Sequence, residues 1–177
     1  EAPSVDPAKG SSATDAVADV QAAGVIDRDA EARALHQKVL VLDAHADIEL
    51  PDEPSRYAGA DGVSRVAPVK MRAGGVDAVV MSVAVGPGPR DADGYAAARA
   101  TADAEMAAVS LLAADPSVTI ARTADEVLAA QAAGQLALIV GFQNARILGG
   151  EVATLDELFE FGVRIFALTH MGHNDFA

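Results

Sequence analysis

Apolar and polar positions change their spacing in a regular way from Asp27 onward. Short β-branched apolar runs, bounded by Gly, Pro or Asp, alternate with Ala-rich stretches of helical character. Asp27 can cap a helix through about Gln37, and Val39-Leu40-Val41-Leu42-Asp43-Ala44 then reads as a strand buried on both faces, since its apolar residues do not alternate with polar ones. Residues 51–68, with three prolines and two glycines, read as loop. Gly74-Gly75 precede a second strand over 76–85, closed by Gly86-Pro87-Gly88-Pro89. The Ala-dense stretch 94–114 predicts a helix that Pro116 stops, and Val118-Thr119-Ile120 a short third strand. Thr123-Ala124-Asp125-Glu126 is a capping box whose helix stops at Gly134, and 136–142 is the fourth strand. Thr154-Leu155-Asp156-Glu157 predicts a second capping box, Gly162 a second helix stop, and 163–169 the fifth strand.

Strands alternating with helices imply parallel strands joined by right-handed crossovers, an α/β fold. Every polar cluster of interest then falls at the same end of the sheet. His45 and Asp47 follow the first strand, Gln143 and Asn144 the fourth, and His170, His173 and Asn174 the fifth. The carboxyl end is where parallel α/β folds bind ligands. About five strands, against the eight of a TIM-type barrel of about 250 residues, predict the N-terminal part of a parallel (β/α) barrel in residues 27–177. Such a part leaves strand edges and barrel-lining residues uncovered. The chain alone is therefore expected to form a homo-oligomer, aggregate, or depend on a C-terminal half.

Composition narrows the partners. Twenty-six acidic against 13 basic side chains, a net charge of −13, argue against nucleic acid and against an anionic membrane surface. No apolar run approaches the roughly 18 residues of a membrane helix, so no membrane-spanning segment is expected. With no Cys, any metal must be held by His, carboxylate or amide. The chain opens at Glu1 on a Pro/Ser/Ala/Gly-rich stretch to about Thr14, which predicts a flexible segment over 1–26 and suits an exported, periplasmic product as well as an ordinary cytoplasmic one.

Asp43-Ala44-His45-Ala46-Asp47 carries the strongest local chemistry. His45 and Asp47, two apart at a strand end, can offer an imidazole nitrogen and a carboxylate oxygen to one cation, donors that suit zinc. The plainer alternative is a packed His and a turn-capping Asp. Gln143 offers only a neutral carbonyl oxygen, a poor metal ligand beside Glu. Asn144 is a candidate substrate-binding amide, although amides at strand ends also satisfy loop backbone. His170 can be a ligand, a base or a donor to a developing oxyanion; His173 fits a solvated loop.

Several motifs in one order carry a resemblance. His45-Ala46-Asp47 followed by Leu50-Pro51, Gly74-Gly75-Val76, Gly141-Phe142-Gln143, and the run from Leu158 to His170 together resemble the membrane (renal) dipeptidase family of metallopeptidases, amidohydrolase-like barrels, over about 27–177. The resemblance implies a two-metal site, usually zinc, that hydrolyses a small dipeptide-like substrate through a bridging hydroxide. It makes His45 and Asp47 ligands of the first metal, aligns Gln143 with the family's bridging Glu, and aligns His170 with its substrate-binding His. Gln143 takes one negative charge from between two dications and should weaken the second metal. That departure keeps a second expectation open, a divergent, metal-poor barrel that binds a peptide-like ligand or acts structurally without peptidase activity.

Overall fold

The computed structural model describes residues 27–177; the flexible segment expected over 1–26 lies outside the described residues. The chain divides after Lys38 into two compact units. The first contributes helix α1 (Arg28–His36), where the Asp27 side chain accepts from the Ala30 N–H at 3.0 Å and no residue is buried.

The second unit, Val39–Ala177, is built on a five-stranded parallel sheet. Its elements in chain order are β1 (Leu42–Asp47), α2 (Pro68–Ala73), β2 (Ala78–Ala84), α3 (Ala92–Leu112), β3 (Val118–Ile120), α4 (Ala124–Ala132), β4 (Leu136–Gln143), a 3₁₀ turn (Ala145–Leu148), α5 (Thr154–Phe161) and β5 (Val163–Ala167). The α/β alternation is the predicted one, and it agrees with part of a TIM-type barrel. No helix among the described residues is long and apolar enough to cross a membrane.

A ring in simple chain order would place β3 between β2 and β4. Instead β2 pairs directly with β4 from Ala78↔Ala137 to Ala84↔Gln143. β3 takes the start of the other edge of β4 (Val118↔Leu136 to Ile120↔Leu138) and β5 takes its end (Val140↔Val163 to Gln143↔Ala167). With three residues, β3 is too short to fill the ladder that β2 and β4 make.

The sheet has two unlike faces. Val79, Met81 and Val83 of β2 and Leu136, Leu138, Val140 and Phe142 of β4 pack with Ala98, Ala102, Met106 and Val109 of α3 and Leu158 of α5. Phe142 and Phe166 meet edge to face at 5.1 Å. On the opposite face Ala78 and Ala137 pack with Val127 and Ala130 of α4.

Two local expectations fail. The first strand lies three residues later than its apolar run, and it is not buried on both faces: Leu42 stays 48% exposed, because β1 occupies a sheet edge among the described strands. The capping box at Thr154 does not form either. α5 has Ala153 at its N-cap, the Thr154 hydroxyl donates to the Leu148 carbonyl at 3.2 Å, and Glu157 is drawn into an ion pair with Arg99 of α3. At the first box the Thr half forms, with Thr123 accepting from the Glu126 N–H, while Glu126 reaches one residue past the cap and accepts from the Arg122 N–H at 2.5 Å.

Candidate metal centre

A bulge in β1 sets the site. The register with β2 runs Leu42↔Ala78 and Asp43↔Val79, then Ala46↔Met81 and Asp47↔Ser82, so one residue of β1 is extra. An extra residue inverts which side chains face which way. Without it, Ala44 and Ala46 would share the face of Leu42. With it, Ala46 turns into the helix-covered core at 2% exposure, and His45 and Asp47 turn to the face of Ser82, Gly141 and Gln143. Both are thus within the strand's last residues rather than beyond it.

The geometry is close. His45 Nε2 lies 3.5 Å from Asp47 Oδ1, and His45 Nδ1 lies 3.5 Å from the Ser82 hydroxyl. Gly141 makes room here, because a Cβ at that position would stand 3.1 Å from Ser82 Oγ. Two ligands of a tetrahedral zinc, each about 2.0–2.1 Å from the ion, are about 3.3 Å apart. A direct charged hydrogen bond would bring the two atoms to about 2.7–2.9 Å. The observed gap is longer than a direct charged hydrogen bond and close to that ligand spacing. Among the described residues no three His, Cys, Asp or Glu side chains converge on a point where they could hold a metal ion.

The other oxygen of Asp47 is held by the loop. Oδ2 accepts from the Tyr57 hydroxyl at 3.0 Å and from Arg56 Nη1 at 2.9 Å, and the same hydroxyl accepts from the Asp47 N–H at 3.3 Å. Burial, together with the hydrogen bond and charge of Asp47, pushes the Tyr57 hydroxyl above its ordinary range, which keeps it a donor. Ser55 ties the loop by donating to Glu49 at 2.5 Å and accepting from the Tyr57 N–H at 3.1 Å.

The remaining candidates separate clearly. Gln143 is half-buried, two residues beyond Gly141 and on the same face, opposite Ala84. Asn144 is 2% exposed at φ +82°, and its amide is fully used: Nδ2 donates to the Val85 and His170 carbonyls, while Oδ1 accepts from the Arg146 N–H and from Asn174 Nδ2. His170 is half-buried beyond β5, with Nδ1 enclosed and without a partner among the described residues. His173 is exposed.

Ser82, Tyr57, Arg56 and Glu105 escape the sequence reading. Ser82 had a signal, a lone hydroxyl in the apolar run 76–85; the loop residues had none. Glu105 of α3 accepts from the Ala84 N–H at 2.6 Å, and burial, with some help from the charge of Asp47, pushes its carboxyl from 4.5 up to about 7. A raised value means that its contribution to folding is complete below about pH 4.5 and fades as pH climbs through about 7. Glu105→Gln should flatten that slope. Urea unfolding should show wild type losing about 1 kcal/mol between about pH 5 and 8, a figure reduced for its half-exposed setting. An equal loss in the variant would show that other groups set the slope.

No curated protein matches the sequence. The sequence model of the membrane dipeptidase family, peptidase family M19, matches residues 29–177. Among solved structures, the probable dipeptidase PvdM from Pseudomonas aeruginosa superposes with a TM-score of 0.74 at 22% identity, over 86% of this chain and 40% of that one. Dipeptidase AC, a metallo peptidase of family M19, gives 0.59 at 21% identity, over 72% of this chain and 43% of its own. A metallo peptidase from Rhodobacter sphaeroides, solved with a phosphinate mimic of the dipeptide L-Ala-D-Ala, gives 0.54 at 19% identity, over 72% and 44%. At such identities the likeness is one of fold, and this chain spans 40–44% of the length of these three. The family match runs from α1 through β5 and beyond, and on it the chain belongs to the membrane dipeptidase family.

Proposed function

We propose that the protein is a divalent-metal hydrolase of dipeptides or related small amides, with zinc as the metal and His45 and Asp47 among its ligands. The observation that carries this is the pair of donor atoms 3.5 Å apart on one face of the sheet at the carboxyl end of β1, in a chain of this family. A bound dication lowers the pKa of its water and stabilises a developing oxyanion. The residues prepare for that. Ser82 can accept the proton of His45 Nδ1, which leaves Nε2, 3.5 Å from Asp47 Oδ1, with a lone pair for a cation. His170, just beyond β5 with its Nδ1 unpaired among the described residues, is our candidate for the group that meets the substrate carbonyl. Asn144 has no donor or acceptor left for substrate, so we assign it to the loop. An exported setting is part of the proposal, and fractionation of cells making the full-length product tests it.

Gln143 favours a second reading, a barrel that binds a peptide-like ligand with little or no metal. Full-length protein loaded with zinc should hydrolyse simple dipeptides, lose the activity on chelation and regain it with zinc. Gln143→Glu should raise both the zinc bound per chain and the rate, since it restores a charge between the metal positions. Neither zinc binding nor hydrolysis in either form would leave the binding-only reading in place.

A further inference from the structure

The geometry points to Tyr57 as a positioning residue that fixes how Asp47 presents itself to a metal; this rests on the metal-site reading above. Its hydroxyl closes a small ring with one residue, accepting from the Asp47 N–H at 3.3 Å and donating to Asp47 Oδ2 at 3.0 Å. A ring through both the backbone and the carboxylate of Asp47 restricts the side-chain torsions between them. Oδ2 is thereby occupied and turned to the loop, while Oδ1 stays free beside His45 Nε2. The carboxylate can then serve a cation through one oxygen only. Tyr57 is itself anchored, because its N–H donates to Ser55 Oγ and that hydroxyl donates to Glu49.

Arg56 reaches the same Oδ2 at 2.9 Å but differs in kind. Its side chain is 70% exposed, it forms no ring, and it brings a positive charge toward a place meant for another. Tyr57 should therefore strengthen metal binding, whereas Arg56 should be neutral or slightly opposed to it.

The opposite signs make the test. Zinc titration of the metal-free full-length protein should show Tyr57→Phe binding about tenfold or more weakly, the scale on which partners of metal ligands act. Arg56→Ala should bind zinc as well as wild type or up to about threefold more tightly. Cobalt(II) in place of zinc gives a readout that loop stability alone does not move. Without the ring the Asp47 carboxylate can turn away from the loop and offer either or both oxygens, which raises the coordination number and weakens the visible bands in Tyr57→Phe, with no such change in Arg56→Ala. Unchanged zinc affinity and cobalt bands in Tyr57→Phe would overturn the proposal, as would equal weakening in both variants, which marks general damage to the loop. Asp47→Asn separates this from the underlying reading. If wild type binds no zinc, or Asp47→Asn binds it equally well, the metal site itself is refuted and the role of Tyr57 goes with it.

Discussion

Changing His45 to Ala should lower the zinc affinity of the full-length protein by about a thousandfold or more, and dipeptide hydrolysis with it, while barely changing the stability of the metal-free fold. The asymmetry follows from where the ring sits. Its side chain is 52% exposed, its contacts with Ser82 and Asp47 are both 3.5 Å long, and no apolar side chain of the core depends on it. Removing it creates no cavity. For a cation, however, it is one of two donors that the described residues bring together, and the loss of a neutral nitrogen ligand leaves a lone carboxylate already shared with Tyr57 and Arg56. A thousandfold corresponds to about 4 kcal/mol of binding energy. Titration calorimetry gives the affinity and urea unfolding of the metal-free forms gives the stability. A variant that binds zinc normally would remove His45 from the site; one that unfolds early would make it a structural residue.

What the sequence discloses depends on how far each choice is local. β4 is legible because its apolar run is long, ends in a turn and is covered on both faces, and the cap at Thr123 is legible because a capping box needs only four neighbouring residues. The sequence holds only part of the reason why His45 and Asp47 share a face. Two residues of a strand two apart share a face, but which face is decided by the bulge against β2, and nothing in the alternation of residues 39–47 reveals the extra residue. The failed cap at Thr154 shows the same limit from the other side, since Arg99 lies far away in sequence and takes the Glu157 carboxylate that the local motif required. Arg56 and Tyr57 act through a loop whose conformation is fixed by Glu49 and Ser55, so only the folded chain brings them to Asp47. Asn144 suits a substrate-binding amide by type and place, and only the folded chain shows its four hydrogen bonds, three to backbone groups and one to Asn174.

Arg146→Met should cost the fold about 2–3 kcal/mol. Arg146 is 6% exposed, and its guanidinium is surrounded by carbonyls: Nη1 donates to Gly86 at 3.2 Å, Nε and Nη2 to Pro89 at 3.3 and 3.1 Å, and Nη2 to Gly94 at 2.5 Å. Among the described residues no carboxylate pairs with it, so the carbonyls alone offset the desolvation of its charge. The fit is tight, because a Cβ on Gly94 would fall 2.2 Å from the Pro89 carbonyl. Met fills the stem's volume but supplies no donors, so the Gly86, Pro89 and Gly94 carbonyls lose the partners they have now. Lys should recover only a little of the loss, since one compact ammonium does not reach carbonyls spread around a planar fork. The damage should extend to the site. Arg146 ties the loop after β2 to the turn after β4, and Asn144, which caps that turn, also holds the carbonyls of Val85 and His170. Loosening the turn therefore loosens His170 while His45 and Asp47 on β1 keep their places. The expected signature is an earlier urea midpoint with zinc affinity nearly intact and KM for dipeptide raised. An unchanged midpoint would mean that water replaces the guanidinium among those carbonyls at little cost, and that the loop after β2 is held by its prolines alone.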